Sequence, residues 1–147
     1  MINDKGLAII KHYEGVSYNP YLDPIGIPTI GYGSIFGLDS NRVDMGHRRI
    51  TESEATDLLI RECQEAEHAI ARLVRVPLTS NQRSALISFV FNVGSGNFQR
   101  STMRMKLNRK DYEGTAKEFW KWRRAGGKIF KGLVRRRASE EQLFRKS

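Results

Sequence analysis

One cysteine, Cys63, stands in 147 residues, so no internal disulfide framework staples this chain, and its composition fits folding in a reducing compartment. No apolar run approaches the roughly 18 residues of a membrane span. Residues 1–13 interleave Asn3, Asp4, Lys5, Lys11 and His12 with apolar side chains, and they lack the h-region and small-residue cleavage site of a signal peptide. Neither a signal peptide nor a membrane anchor is therefore expected. His12, His47 and His68 lie far apart without acidic or cysteine companions at ligand spacing, so no metal site and no cofactor are expected. Gly31, Gly33 and Gly37 do not open a helix with Lys followed by Ser or Thr, which excludes a phosphate-cradling loop there. Internal repeats, low-complexity tracts and long linkers are also lacking, and the length suits one domain with a real hydrophobic core.

Acidic residues are scarce in one part of the chain only. Residues 1–99 hold 9 Lys/Arg against 11 Asp/Glu, whereas residues 100–147 hold 16 against 5. A field of that sign attracts polyanions, whether nucleic acid, anionic headgroups or envelope polymers, and does not choose among them.

What is present is a change of pattern along the chain. Residues 3–14 read as a short amphipathic helix, with Asn3 or Asp4 as cap, Leu7, Ile10 and Glu14 on one face, and Gly15 as stop. From Val16 to Gly37, three prolines and glycines at 26, 31, 33 and 37 leave room only for short strands, near Tyr18–Leu22 and Thr29–Tyr32, joined by a turn at Pro24–Gly26. Thr51 and Glu54 form a capping box. Behind it Ala55, Leu58, Leu59, Ala66, Ala69, Ile70 and Leu73 keep a 3.6-residue period whose one polar exception is Glu62, predicting a long helix over about 52–74. A second box, Thr79 with Gln82, opens a segment over 80–93 that is apolar nearly all round and belongs in a core. Further helices are expected over about 98–107, 111–123 with Asp111 as cap, and 133–144. The architecture that follows is α+β: a β lobe over about 15–50, a connecting helix over about 52–74, and a helical lobe over about 75–147 plus residues 3–14. A ligand would sit in a cleft between the lobes.

Two carboxyls draw the eye by contrast of setting. Glu14 closes the first helix on its core-facing side, where the helix dipole and partial burial would favour its protonated form. Asp23 precedes the turn, beside a short polar loop, and should stay ionised; Thr29 follows the turn and would come near it across a hairpin. An acid paired with a carboxylate is what glycosidic cleavage needs. Taken singly, Asp23 is equally a turn residue bonded to its own backbone and Thr29 a strand residue.

The run Glu14-Gly15, then Tyr21-Leu22-Asp23-Pro24-Ile25-Gly26, then Thr29-Ile30-Gly31-Tyr32-Gly33 resembles the tailed-phage lysozymes, glycoside hydrolase family 24. Eight residues separate Glu14 from Asp23 and five separate Asp23 from Thr29, the spacing of that family's catalytic set. The likeness continues through Ile50–Ala55, Leu78–Gly94, Ser101–Asn108 and Trp120–Glu140. One departure is Ser34, where many relatives carry a His read as structural.

The resemblance implies a lysozyme-like fold in one domain, residues 1–147, and an endolysin that hydrolyses the β-1,4 bond between N-acetylmuramic acid and N-acetylglucosamine. Glu14 would be the general acid, with Asp23 and Thr29 activating water in an inverting reaction. Phe91 and Asn92 are candidate sugar contacts, against a core aromatic and a helix C-cap; Arg135, Arg136 and Arg137 are candidates for tuning the acid, against a solvated charge run. The expected partner is peptidoglycan, met by a monomer, with the basic C-terminal segment in electrostatic contact with an anionic envelope and no nucleic acid. Such an enzyme would collect in the host cytoplasm until a separate holin-type pore releases it to the wall. A nucleic-acid-binding module, a lytic transglycosylase and a dead wall-binding relative remain as alternatives, all three weakened by the intact Glu14/Asp23/Thr29 set. Of Trp120 and Trp122, one should face the core and the other the rim.

Overall fold

In the computed structural model, which describes residues 1–146, the contacts divide the chain into two units. One is Glu14–Glu62; the other is Met1–Tyr13 with the chain from Cys63 onward. The long helix expected near 52–74 is α2 (Glu52–Leu73), which begins in the first unit and ends in the second. Its capping box is formed: Thr51 Oγ1 accepts from Glu54 N at 3.1 Å and Glu54 Oε1 from Thr51 N at 3.0 Å. Arg48 adds a salt bridge to the same Glu54, and these partners hold that carboxyl down at about 2.

The Glu14–Glu62 unit carries a two-stranded antiparallel sheet, β1 (Ser17–Leu22) with β2 (Pro28–Gly31). Tyr21 stands opposite Thr29 and Leu22 opposite Pro28, while the register slips between Ser17 and Tyr21. Pro20 falls within that slip, and it has no N–H to give a ladder. Beyond the sheet the chain is irregular, held by single bridges from Ile30 to Ser34 and Phe36 to Arg42. The buried apolar residues of this unit include Ile30, Tyr32, Val43, Ile50, Ala55 and Leu58.

The second unit is helical. Asn3 caps α1 (Asp4–Glu14), its Oδ1 accepting from Gly6 N at 3.0 Å. The central α3 (Ser80–Val93) has its Thr79–Gln82 box in place, is buried without interruption from Ser84 to Val90, and ends on Gly94 as C-cap. At Gly6 a Cβ would lie 2.7 Å from Ser84 Cβ, so glycine lets α1 lie directly on α3.

Downstream the helices are shorter than the periodicity predicts. The helix expected over 98–107 is two, α4 (Ser95–Gln99) and α5 (Thr102–Asn108), because Ser101 turns out to be a cap whose Oγ accepts from Arg104 N at 3.1 Å. The helix expected over 111–123 keeps its Asp111 cap but stops early, as α6 (Tyr112–Ala116) followed by a 3₁₀ turn over Phe119–Lys121. Packing wins over propensity there: Phe119 is fully buried with its ring centroid 5.4 Å from that of Phe89. A second small hairpin, β3 (Arg124–Ala125) and β4 (Lys128–Ile129), was not expected; its turn is Gly126–Gly127, both at positive φ. The last helix, α7 (Lys131–Arg145), packs on α3. The tryptophans divide as expected: Trp120 is exposed under the Arg123 guanidinium, and Trp122 turns its ring edge-on to Phe89.

Between α3 and α7 lies a buried charge cluster. Glu140 is fully buried and takes Ser88 Oγ at 2.6 Å, Arg136 Nε at 3.2 Å and Arg137 Nε at 2.7 Å. Arg136 also donates to Ser88 O, and Arg137 to Asn92 Oδ1 and Trp122 O, with its guanidinium 5.1 Å from the centre of the Phe89 ring. Burial lowers the proton affinity of Arg137 against the pull of Glu140. Removing the one anion would strand two buried cations. Glu140→Ala is therefore expected to cost roughly 3–5 kcal/mol in urea denaturation at neutral pH. A loss under about 1 kcal/mol would show that the cluster does not hold α7 on α3.

Candidate active site

The five-residue connection between β1 and β2 is organised by one peptide, that of Ile27. Its N–H donates to Asp23 Oδ1 at 2.8 Å, and its carbonyl accepts both the Asp23 N–H at 3.0 Å and the Thr29 hydroxyl at 2.8 Å. Ile25 N–H is a second donor to Asp23 Oδ1, at 2.9 Å, and Gly26 N–H closes the turn on Asp23 O at 2.9 Å with Gly26 at φ +83°. Asp23 is thus a turn residue bonded to its own backbone, with chemistry left over. Oδ1 is spent on the loop, while Oδ2 takes no hydrogen bond among the described residues. Thr29, only 3% exposed, has its proton committed to Ile27 O, so its oxygen is left to accept.

Glu14 ends α1, and Gly15 at φ +69° turns the chain from it into β1. Here the structure departs from expectation: Glu14 is exposed, not half-buried. The burial of α1 is carried by Gly6, Leu7 and Ile10 and is exhausted before its last turn. Glu14, Asp23 and Thr29 all belong to the same unit.

Two further residues connect them, and neither was a candidate. Tyr21 faces Thr29 across the sheet, and its phenol is held above the usual range by burial, then by the charges of Asp23 and Glu14. Its strand register was the available signal. Glu62, the polar exception on the apolar stripe of α2, is half-buried; burial raises its pKa and the charge of Glu14 adds to that. Ser34 and Arg61 act the other way, but weakly placed. The fully buried Ser34 hydroxyl favours the Glu62 anion yet makes no hydrogen bond of normal geometry, and the Arg61 guanidinium is engaged by the carbonyls of Phe36 and Gly37. Glu62 is thus a half-buried carboxyl with no strong partner at Ser34 or Arg61.

The other candidates belong to the second unit. Phe91 is half-buried and Asn92 exposed near the end of α3; Gly94, not Asn92, is the C-cap. Asn92 Oδ1 accepts from Arg137, and its amide nitrogen bonds nothing among the described residues. Arg135 is exposed, whereas Arg136 and Arg137 are buried with Glu140, so this charge run is not a solvated face. Among the described residues no cluster of His, Cys, Asp or Glu could hold a metal ion, and no helix is long and apolar enough to cross a membrane.

Residues 11–140 match the family model described as Phage lysozyme. The endolysin of Salmonella phage P22 is 41% identical over 143 residues, covering 97% of each chain. A crystal structure of a P22 lysozyme mutant superposes with a TM-score of 0.92 at 39% identity, over 99% of both chains. The muramidase domain of SpmX from Asticaccaulis excentricus gives a TM-score of 0.84 at 31% identity, over 100% of this chain and 99% of that one. These likenesses bear out the lysozyme-like α+β fold.

Glu62 makes stability depend on pH in a defined sense. A carboxyl raised in the folded state binds its proton more tightly there than when unfolded, so its contribution is full below its ordinary value of 4.5 and lost as pH rises through the raised value. Glu62→Gln should therefore stabilise relative to wild type at pH 7, with the advantage shrinking toward pH 4. Glu54 titrates in the opposite sense and cancels in this difference. Urea denaturation at both pH values measures it; a difference independent of pH would mean that Glu62 ionises without penalty.

Proposed function

The chain belongs to the phage lysozyme family, and we propose that Glu14, Asp23 and Thr29 are the groups with which this lysozyme-type glycoside hydrolase cuts the bacterial wall. The bond is the β-1,4 linkage between N-acetylmuramic acid and N-acetylglucosamine, and residues 1–147 act as one lysozyme-like domain and as a monomer. The observation that carries the reading is the Ile27 backbone, which ties Asp23 to Thr29 and leaves each with an acceptor not used within the loop.

Glu14 gives its proton to the glycosidic oxygen as the bond to the anomeric carbon breaks and positive charge develops on the sugar ring. A water donates one O–H to Asp23 Oδ2 and the other to Thr29 Oγ1, which leaves a lone pair free to attack. Thr29 can only accept, because Ile27 O holds its proton. As the water attacks from the face opposite the leaving group, its proton passes to Asp23 and the configuration inverts. A lytic transglycosylase has no use for such a water site. Asn92, with its oxygen fixed by Arg137, is proposed to donate its amide to a sugar oxygen, with Phe91 beside it. No described helix spans a membrane, and delivery from the host cytoplasm to the wall is assigned to a separate holin-type pore.

Peptidoglycan turbidity tests the roles. Glu14→Gln should slow clearing by at least about 10²-fold, the range of general acid catalysis. Thr29→Val should lose more than Thr29→Ser, which keeps the acceptor. Proton NMR of the first products should show the new reducing end as the α-anomer; a β-anomer would establish retention, and a 1,6-anhydro end transglycosylation. If wild type and Glu14→Gln clear equally, the assignment of the acid is wrong. Lysis should also weaken as added salt brings the Debye length below about 8 Å, if the basic segment draws the enzyme to an anionic envelope.

A further inference from the structure

In the helical unit, the end of α2 and the α4–α5 corner enclose an open concavity of about 470 Å³. Four arginines line it, Arg75, Arg100, Arg104 and Arg109, with Asn108 and Met105. No carboxylate does. The sequence supplies none nearby: between Glu67 and Asp111 there is no acidic residue, against eight Lys/Arg.

The floor of this concavity is built. Arg104 is half-buried, with Nε on Leu73 O at 3.0 Å and Nη1 on Gln99 O at 3.2 Å. Asn108 donates to the same Leu73 carbonyl at 2.9 Å and accepts from Arg75 N at 2.8 Å. Arg100 is steadied by Asn97 Oδ1 at 3.0 Å. The side chains of Arg75 and Arg109 have no hydrogen-bond or ionic partner among the described residues. Elsewhere this chain sets guanidinium against carboxylate, as in Arg48 with Glu54, Arg137 with Glu140 and Arg145 with Glu113.

We propose that this concavity binds the phosphate groups of a base-free phosphodiester polymer, of the polyol-phosphate kind found in envelopes. Guanidinium forks match phosphate oxygens in pairs. Four of them around one hollow suit several linked charges better than a single carboxylate. The volume lies in the range of small-ligand sites, about 300–1,000 Å³, and so admits a short stretch of chain. A bilayer would call for a convex apolar face, and here Met105 is the one large apolar side chain in a concave lining. A single-stranded nucleic acid would call for stacking platforms, and no aromatic residue lines the hollow. The site is separate from Glu14, Asp23 and Thr29 in sequence and in unit, and its test does not depend on their roles.

Fluorescence anisotropy of the full chain with labelled poly(glycerol phosphate), titrated at several salt concentrations, reads the binding. Wild type should bind at 50 mM salt, and Arg75→Gln/Arg109→Gln should bind at least about tenfold more weakly. The slope of log affinity on log salt should fall by about 1.4, close to 0.7 for each lost phosphate contact on a flexible chain. Lys128→Gln/Lys131→Gln, which removes the same charge elsewhere, should keep wild-type affinity. Both variants should melt with wild type and cut phosphate-free peptidoglycan at rates equal to one another. The proposal is overturned if wild type does not bind, or if the two double variants weaken binding equally. It is also overturned if an oligonucleotide with the same number of phosphates, or phosphatidylglycerol vesicles, displace the polymer at equal phosphate concentration.

Discussion

The helical unit depends on a single buried carboxylate. Glu140 sits with two guanidiniums and a hydroxyl, and those four groups come from two helices that their bonds hold at one register. Apolar side chains in their place could be as stabilising, since desolvating charge is expensive. What an apolar patch lacks is direction. The Arg136 and Arg137 forks reach the Ser88 and Trp122 carbonyls as well as Glu140, so α7 can neither rotate nor slide along α3 without breaking several bonds at once. The same fork fixes Asn92 and packs over Phe89. One ionic contact thereby sets the end of the central helix and the place where the second hairpin returns to the fold.

Charge is divided between the units more sharply than along the chain. Glu14–Glu62 carries 8 Asp/Glu against 4 Lys/Arg, and the remainder 8 against 21. The proposed acid–base chemistry thus belongs to the unit where carboxyls repel one another, and the proposed attraction for polyanions to the unit where cations crowd. Each kind of crowding has its price in folding free energy. In the acidic unit neighbouring carboxylates add to the burial that raises Glu62 and Tyr21, and in the basic one four guanidiniums surround a hollow.

Much of this was legible in the sequence. Both capping boxes, the long α2 and the buried α3 follow from side-chain period and cap chemistry, which are local. The candidate trio followed from spacing read through a family likeness. What escaped was partly local chemistry and partly set by distant contacts. Ser101 was hidden inside an apparent helical run, Phe119 gives up helix for the core, and the Gly126–Gly127 turn was overlooked although its chemistry is local. The expected burial of Glu14 failed because a helical face read from Leu7 and Ile10 says nothing of where that face stops being covered. Glu62 was visible as an exception to a period, but not as a neighbour of Glu14, which lies far off in sequence.

The Ile27 peptide has a consequence for how such a chain can drift. Position 27 serves Asp23 and Thr29 through its backbone N–H and carbonyl alone, so selection on the chemistry is blind to its side chain. Lineages can exchange isoleucine there for many residues while the acceptors stay where they are. Proline is the forbidden substitution, because it lacks the N–H that holds Asp23 Oδ1. A position can therefore be indispensable to catalysis and still look variable among descendants, its constraint written in the residue that never occurs.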